Sequence, residues 1–157
     1  MAETLKPRWT VIFHDDFDPE FDSFPEDARD ALLEAAEAVR LAGPKAGRPH
    51  VDTLLGSKHS NMKELRYKAG NGTQVWRAAF AFDPDRQGVV LVAAEKQGTD
   101  GPRFYKSLIK KADQRFDAHL RKLQQARTER TQNGRPVKKA AAGKAKSGTT
   151  TLRKSTK

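Results

Sequence analysis

The chain has 157 residues, a formal net charge of +10, 36% hydrophobic residues and no cysteine. This length suits one domain with a tail, and the lack of cysteine excludes disulfides and thiolate metal sites. The sequence shows neither the run of about 20 apolar residues that crosses a membrane nor the apolar core of an N-terminal signal peptide, so we expect a cytoplasmic protein with no membrane partner.

The positive charge is concentrated toward the C-terminus. Residues 121 to 157 contain 12 of the 30 lysines and arginines and a single acid, a net charge of +11. Residues 1 to 120 contain the remaining 18 bases and 19 acids, a net charge of −1. Within them, residues 1 to 40 hold 11 acids and 4 bases, so an anion-binding surface is expected from residues 41 to 120.

The first 45 residues predict one strand and one helix. The apolar run WTVIF at residues 9 to 13 predicts the strand. Ser23, with Glu26 three residues later, is a helix-start signature. The helix is expected over about residues 24 to 41, because the Gly43-Pro44 pair that follows forbids its continuation.

An acidic segment, HDDFDPEFD, lies between them at residues 14 to 22 and superficially resembles a calcium loop. Such a loop requires glycine at its sixth position and glutamate at its twelfth. Those positions hold Phe21 and Asp27. We therefore expect a solvated acidic loop or a surface that faces a partner, rather than a metal site.

A long connection at residues 43 to 61 carries four cationic or titratable side chains, which are Arg48, His50, Lys58 and His59. Loops of this length in a compact domain are often functional, and histidine titrates near neutral pH. Taken singly, however, each histidine is more often a surface residue than a catalyst.

Three consecutive strands are predicted at about residues 63 to 68, 74 to 82 and 88 to 95, where Val, Phe, Trp, Tyr and Leu are frequent and turn residues form the boundaries. Side chains alternate across a strand. Trp76 therefore shares a core face with other aromatic residues, whereas Arg77 rises from the opposite face among small apolar residues. That second face is predicted to be a shallow concave surface with one fixed positive charge on its floor.

A last helix is predicted over about residues 103 to 123, because apolar residues recur along one side of it. Lys96 precedes this helix. Tyr105 and Lys106 lie in its first turn, away from the centre of the apolar side.

The remaining residues, 124 to 157, contain almost no large apolar side chains and are predicted to form a disordered basic tail behind a single domain at residues 1 to 123. Such a tail either binds nucleic acid non-specifically by neutralising phosphates or only aids solubility.

Three segments of the sequence carry a family resemblance: GRPHVDTLLGSKHSNMKELR, VWRAAFAFDPDRQGVVLVAAEK and RFYKSLIKKADQRFDAHL. Together they resemble the HigB-like, phage-derived branch of the RelE/ParE toxin superfamily, over roughly residues 8 to 122. The resemblance implies an α+β fold, a small antiparallel sheet of about four strands with helices packed on one face and the other face partly open.

The resemblance also implies a function. Toxins of this kind belong to type II toxin–antitoxin pairs and are usually endoribonucleases that cleave mRNA, often on the translating ribosome. The expected protein partner is a small antitoxin with a helix-turn-helix domain. No cofactor is expected, because RNA can be cleaved by side chains that act as base, acid and phosphate clamp.

Four residues are candidates for catalysis: Arg77, Arg66, Lys96 and Tyr105. The five-donor fork of Arg77 suits a scissile phosphate, and Arg66 matches the arginine of the family's ELR segment. Lys96 could add charge or act as acid or base, and Tyr105 could stack on a base or act as acid. Structural roles are the alternative, with Arg66 paired to Glu64 or to an acid on the neighbouring strand and Arg77 paired to Asp83 or Glu95.

Further basic residues are candidates for RNA binding, and these are Arg48, His50, Lys58, His59, Lys68, Arg103 and Lys106. Two other functions stay open. The chain could be a non-catalytic, phage-derived nucleic-acid-binding protein, or a ParE-like toxin that inhibits DNA gyrase, since fold alone does not assign the chemistry.

Overall fold

The computed structural model describes residues 9–97 and 101–133. Within these residues, five strands and three α-helices follow one another, with a short 3₁₀ helix at Gly43–Lys45 after α2. They are β1 (Thr10–Phe13), α1 (Phe17–Asp22), α2 (Glu26–Ala42), β2 (Val51–Thr53), β3 (Met62–Ala69), β4 (Gln74–Phe82), β5 (Gln87–Glu95) and α3 (Gly101–Asn133). None of the described helices is long and apolar enough to cross a membrane.

The sheet has five strands in the order β1-β5-β4-β3-β2. The α+β class is therefore confirmed, but the sheet is mixed rather than antiparallel, because β1 runs parallel to β5 at its edge. The extra strand is β2, a three-residue element that pairs with residues 63 to 65 of β3. It lies inside the connection predicted at residues 43 to 61 and is too short to produce an alternating pattern.

Helices cover both faces of the sheet, so the expectation of helices on one face was wrong. One core lies under α1 and α2, and its largest side chains include Phe17, Phe21, Leu32, Leu65 and Phe80. The other core lies under α3 and includes Leu91, Leu108, Ala112 and Phe116. Alternation along β4 has the predicted effect, since Trp76 faces the first core and Ala79 and Ala81 face the second.

The last helix is longer than predicted, since it ends at Asn133 and not at about residue 123. Residues 124 to 133, assigned from the sequence to the tail, are helical and rich in good helix formers. An ion pair between Arg127 and Asp85, with 3.0 Å between Nη2 and Oδ1, ties this extension to the β4–β5 turn. The domain boundary at residue 123 stays a prediction, and residues 134 to 157 of the predicted tail lie outside the described part of the chain.

A buried carboxylate also anchors α3 to the β4–β5 turn. Asp83 has a fully buried side chain, and its Oδ2 lies 2.7 Å from Nε2 of His119 on α3. The same carboxylate accepts hydrogen bonds from the backbone N–H groups of Asp85 and Gln87 and from the Gln87 side chain. The turn, the sheet and the helix are thus fixed to one another through a single carboxylate.

Candidate active site

Arg66 and Arg77 lie directly opposite each other on neighbouring strands, β3 and β4. The backbone N–H of Arg66 donates to the carbonyl of His50, at 2.7 Å on the side away from β4. The two arginines therefore form a non-hydrogen-bonded pair, the kind that brings facing side chains closest. Like charges in this position repel, so an anion is expected between them.

Glu64 supplies that negative charge. Its Oε2 lies 3.6 Å from Nε of Arg66 and its Oε1 lies 3.8 Å from Nε of Arg77. The residue is only 7% exposed, and its strand partner Ala79 is small enough to leave room for it. The pairing of Arg66 with Glu64 is confirmed, whereas Arg77 contacts Glu64 rather than Asp83 or Glu95.

Tyr105 completes the cluster from the first turns of α3. Its hydroxyl accepts a hydrogen bond from Nε of Arg77 at 3.1 Å and donates one to Oε1 of Glu64 at 2.9 Å. Burial, together with the hydrogen bond to Glu64, raises the pKa of Tyr105 against the opposing effect of Arg77. At neutral pH the phenol therefore keeps its proton and is available as a hydrogen-bond donor or acid.

Arg77 is held in place from two sides. In addition to Tyr105, its Nη1 donates to the carbonyl of Trp76 at 3.0 Å, and its side chain is only 11% exposed. Lys96, just past the end of β5, places its ammonium nitrogen 5.8 Å from the centroid of the Tyr105 ring. The four residues proposed from the sequence for catalysis therefore meet in one cluster.

Only some of the residues proposed for RNA binding lie near this cluster. His50 and Lys68 line a groove together with Arg66 and Arg77, and Lys106 is next to Tyr105 in the chain. Lys58 and His59 instead contact Asp117, which is twelve residues further along α3 than Tyr105, or about 18 Å along the helix.

Two further candidates lie apart from the cluster. Arg48 is exposed and pairs with Asp52, with 3.0 Å between Nη2 and Oδ2. Arg103 lines a different cavity, between α1, β5 and α3, together with Glu20 and Phe24. The RNA-binding roles of all seven residues stay predictions. Within residues 9–97 and 101–133, no cluster of His, Cys, Asp or Glu side chains could hold a metal ion.

Glu64 is the site residue whose role sequence reasoning missed. The sequence predicts Glu64 only as an ion-pair partner of Arg66, although alternation places it on the Arg66 face of β3. The signal in the sequence is that shared face, because a carboxylate on the face that carries Arg66 and Arg77 can pair with both guanidinium groups once the strands associate.

Comparison with known proteins identifies the family. A family model described as "Phage derived protein Gp49-like" matches residues 19–117, which is more than half of the 157-residue chain. The chain belongs to the Gp49-like family. All five residues of the cluster lie inside the matched region, whereas the last 16 residues of α3 lie outside it.

Two proteins of Mycobacterium tuberculosis, named as candidate toxins HigB2 and HigB3, are similar to this Gp49-like chain. Each is 40% identical to it, over 99 and 100 residues respectively. The matched segments cover 63% and 64% of this chain, 48% of HigB2 and 83% of HigB3, so the match spans about half the length of HigB2. No solved structure matches the chain. The HigB-like resemblance seen in the sequence is thereby confirmed.

Proposed function

We propose that this Gp49-like protein is the toxin of a type II toxin–antitoxin pair and that it cleaves mRNA as a metal-independent endoribonuclease associated with the ribosome. The similarity to HigB2 and HigB3 supports the toxin role. The observation that carries the ribonuclease assignment is the hydrogen-bonded series from Arg77 through Tyr105 to Glu64. It places a cation, a protonated phenol and a carboxylate within one cluster, which is the set of groups that RNA cleavage needs.

The two arginines bind the scissile phosphate in this proposal. Arg77 uses two of its five N–H donors on Tyr105 and Trp76, which leaves three for phosphate oxygens. Arg66 is more exposed than Arg77 and approaches from the neighbouring strand. Both guanidinium groups stabilise the additional negative charge that develops on phosphorus in the transition state.

The Glu64–Tyr105 hydrogen bond allows the proton taken from the RNA by Glu64 to be returned to Tyr105. The ribose 2′-oxygen attacks phosphorus and gives its proton to the Glu64 carboxylate, while the bond from phosphorus to the 5′-oxygen breaks. Tyr105 donates its proton to the departing 5′-oxygen and then recovers one from Glu64 across their 2.9 Å hydrogen bond. The products are a 2′,3′-cyclic phosphate and a 5′-hydroxyl, and both side chains return to their starting states.

A partner antitoxin would silence the protein by covering this cluster. Arg66, Lys68 and Lys96 make its surroundings positive, so a partner that presents carboxylates there would compete with RNA. We propose a helix-turn-helix antitoxin for this role, and the cytoplasm, where mRNA is translated, as the place of action.

The test is cleavage of a synthetic RNA by the purified full chain in the presence of a chelator, with and without translating ribosomes. Arg77→Ala should lower the rate about 10²- to 10³-fold, the usual cost of losing one transition-state donor. Arg127→Ala is the matched control, because Arg127 lies on the far part of α3, where its side chain pairs with Asp85. Unchanged cleavage by a folded Arg77→Ala protein would remove Arg77 from the site.

A further inference from the structure

A groove of about 680 Å³ begins at the arginine pair and runs between α2 and the outer edge of β3. Arg66, Arg77 and Lys68 lie at its sheet side, and Ala31, Ala35 and Ala38 of α2 form the opposite wall. Small side chains on the helix leave a flat apolar surface, and the cations at the other side give the groove a positive end. Arg66 and Arg77 line both this groove and the proposed phosphate site, so the two meet at the open edge of β3.

Tyr67, which also lines this groove, carries an unpartnered polar group. The residue is 8% exposed, and its hydroxyl is buried without a hydrogen-bond partner among the described residues. Burying a hydroxyl without a partner costs free energy, so the arrangement points to a bound molecule that would supply the partner. Burial also raises the pKa of Tyr67, so the hydroxyl is a donor at neutral pH.

The main chain at Lys68 provides further hydrogen-bonding groups. The strand β2 pairs only with residues 63 to 65, so β3 has no neighbour beside Lys68 on that side among the described strands. Lys68 lies opposite Val75, whose carbonyl accepts from Lys96 at 2.6 Å. The N–H and C=O of Lys68 therefore point away from β4, toward the open edge. Glu34 adds a carboxylate at the helix side of the groove.

We propose that this groove is the subsite for the nucleobase beside the scissile phosphate, and that it sets the base preference of cleavage. The inference rests on the proposed ribonuclease function. With the phosphate held by Arg66 and Arg77, the attached base lies against the alanine wall, and the Tyr67 hydroxyl, the Lys68 main chain and Glu34 contact its edge. The continuity with the cationic phosphate site favours RNA over a peptide segment as the occupant.

The first experiment measures nucleotide binding, independently of cleavage. The full chain is titrated with AMP, GMP, CMP and UMP and followed by amide NMR. We expect shifts at Ala35, His50, Tyr67 and Lys68, with affinities that differ among the four bases. Ala38→Leu should weaken binding at least about tenfold by filling the groove, whereas Ala42→Leu, one turn further along α2 and lining a different cavity, should not.

Absence of shifts from all four nucleotides, or equal affinity in Ala38→Leu and the intact protein, would overturn the base subsite. If the amide signals of the groove residues shift only when a protein partner is added, the base subsite is also overturned and the groove belongs to that partner.

The second experiment maps cut sites in one RNA for the intact protein and for Tyr67→Phe, which removes only the unpartnered hydroxyl. The loss of one hydrogen bond should reduce the preference among bases about threefold to tenfold, while cleavage summed over all sites persists. An unchanged cut-site pattern in Tyr67→Phe would contradict the subsite and leave the ribonuclease function standing. An intact protein that binds nucleotides in the groove but cuts no RNA would instead contradict the proposed function.

Discussion

At the scale of single residues, the site depends on how Glu64 is buried. Removing a carboxylate from water is costly, and the cost is offset only when the charge is paired and hydrogen-bonded. Glu64 has both forms of compensation, from the guanidinium groups of Arg66 and Arg77 and from the hydroxyl of Tyr105. The same interactions that make its burial tolerable place it where it can exchange a proton with Tyr105.

Glu64→Gln tests whether this carboxylate works as the base. Glutamine keeps the volume and can still accept the hydrogen bond from Tyr105, but it cannot take up the 2′-hydroxyl proton. We expect the cleavage rate at saturating RNA to fall about 10²- to 10⁴-fold, whereas RNA binding is retained or tightened because a negative charge beside the two arginines is removed. The control is Glu37→Gln on α2, whose exposed carboxylate pairs with Arg40. A Glu64→Gln protein that cleaves within a few-fold of the intact rate would exclude the proton path.

At the scale of the elements, the docking of α3 decides whether a site exists. Tyr105 reaches Glu64 only because α3 lies across the face of the sheet that carries Ala79 and Ala81. The far part of the helix is fixed by the hydrogen bond between His119 and Asp83. Although burial opposes ionisation, hydrogen bonds from His119 and Gln87 hold the pKa of Asp83 below its usual 3.8.

Asp83→Asn should therefore destabilise the protein in a pH-dependent way. A carboxyl whose pKa is lowered by folding stabilises the native state above its unfolded pKa, and the contribution is lost as the pH falls through the folded value. We expect the free energy of unfolding to fall by about 2 kcal/mol near neutral pH. Urea denaturation should show this difference shrinking as the pH falls below 3.8. A difference that stays constant with pH would mean that the hydrogen-bond acceptor atoms of Asp83, rather than its charge, stabilise the fold.

The features of the site that depend on local sequence could be predicted, whereas those that depend on contacts between distant residues could not. Alternation is a local property, and it correctly placed Arg77 on the face opposite Trp76. The hydrogen bond between Glu64 and Tyr105 joins residues 41 positions apart, and no local pattern indicates which face the last helix covers. Ala79 and Ala81 suggested a shallow open floor, whereas their small size is what allows a helix to pack closely there.

At the scale of the whole molecule, positive charge is divided between the site and the C-terminal segment. Residues 134 to 157 contain eight lysines and arginines and no acid. Charge of this kind raises affinity for any nucleic acid, in proportion to the phosphates neutralised. RNA affinity should therefore depend on this C-terminal segment, whereas the rate of cleavage should depend on the cluster around Glu64.

Deleting residues 134 to 157 tests that separation. We expect weaker RNA binding with a shallower salt dependence, since each phosphate that is no longer neutralised changes the logarithmic salt slope by about 0.7 for single strands. The cleavage rate at saturating RNA should stay within about twofold, because the cluster is intact. If the deletion abolishes binding and no cleavage is seen with or without it, the chain is better described as a non-catalytic nucleic-acid-binding protein.

The most direct measurement is inducible expression in bacteria of the intact protein, Arg77→Ala and Arg127→Ala at matched levels, with cellular mRNA ends mapped by primer extension alongside growth. We expect growth arrest and new mRNA ends for the intact protein and Arg127→Ala, and neither for Arg77→Ala. New ends and arrest in Arg77→Ala would contradict the site. Arrest of the intact strain with broken DNA and no new mRNA ends would contradict the ribonuclease and favour a toxin that acts on gyrase.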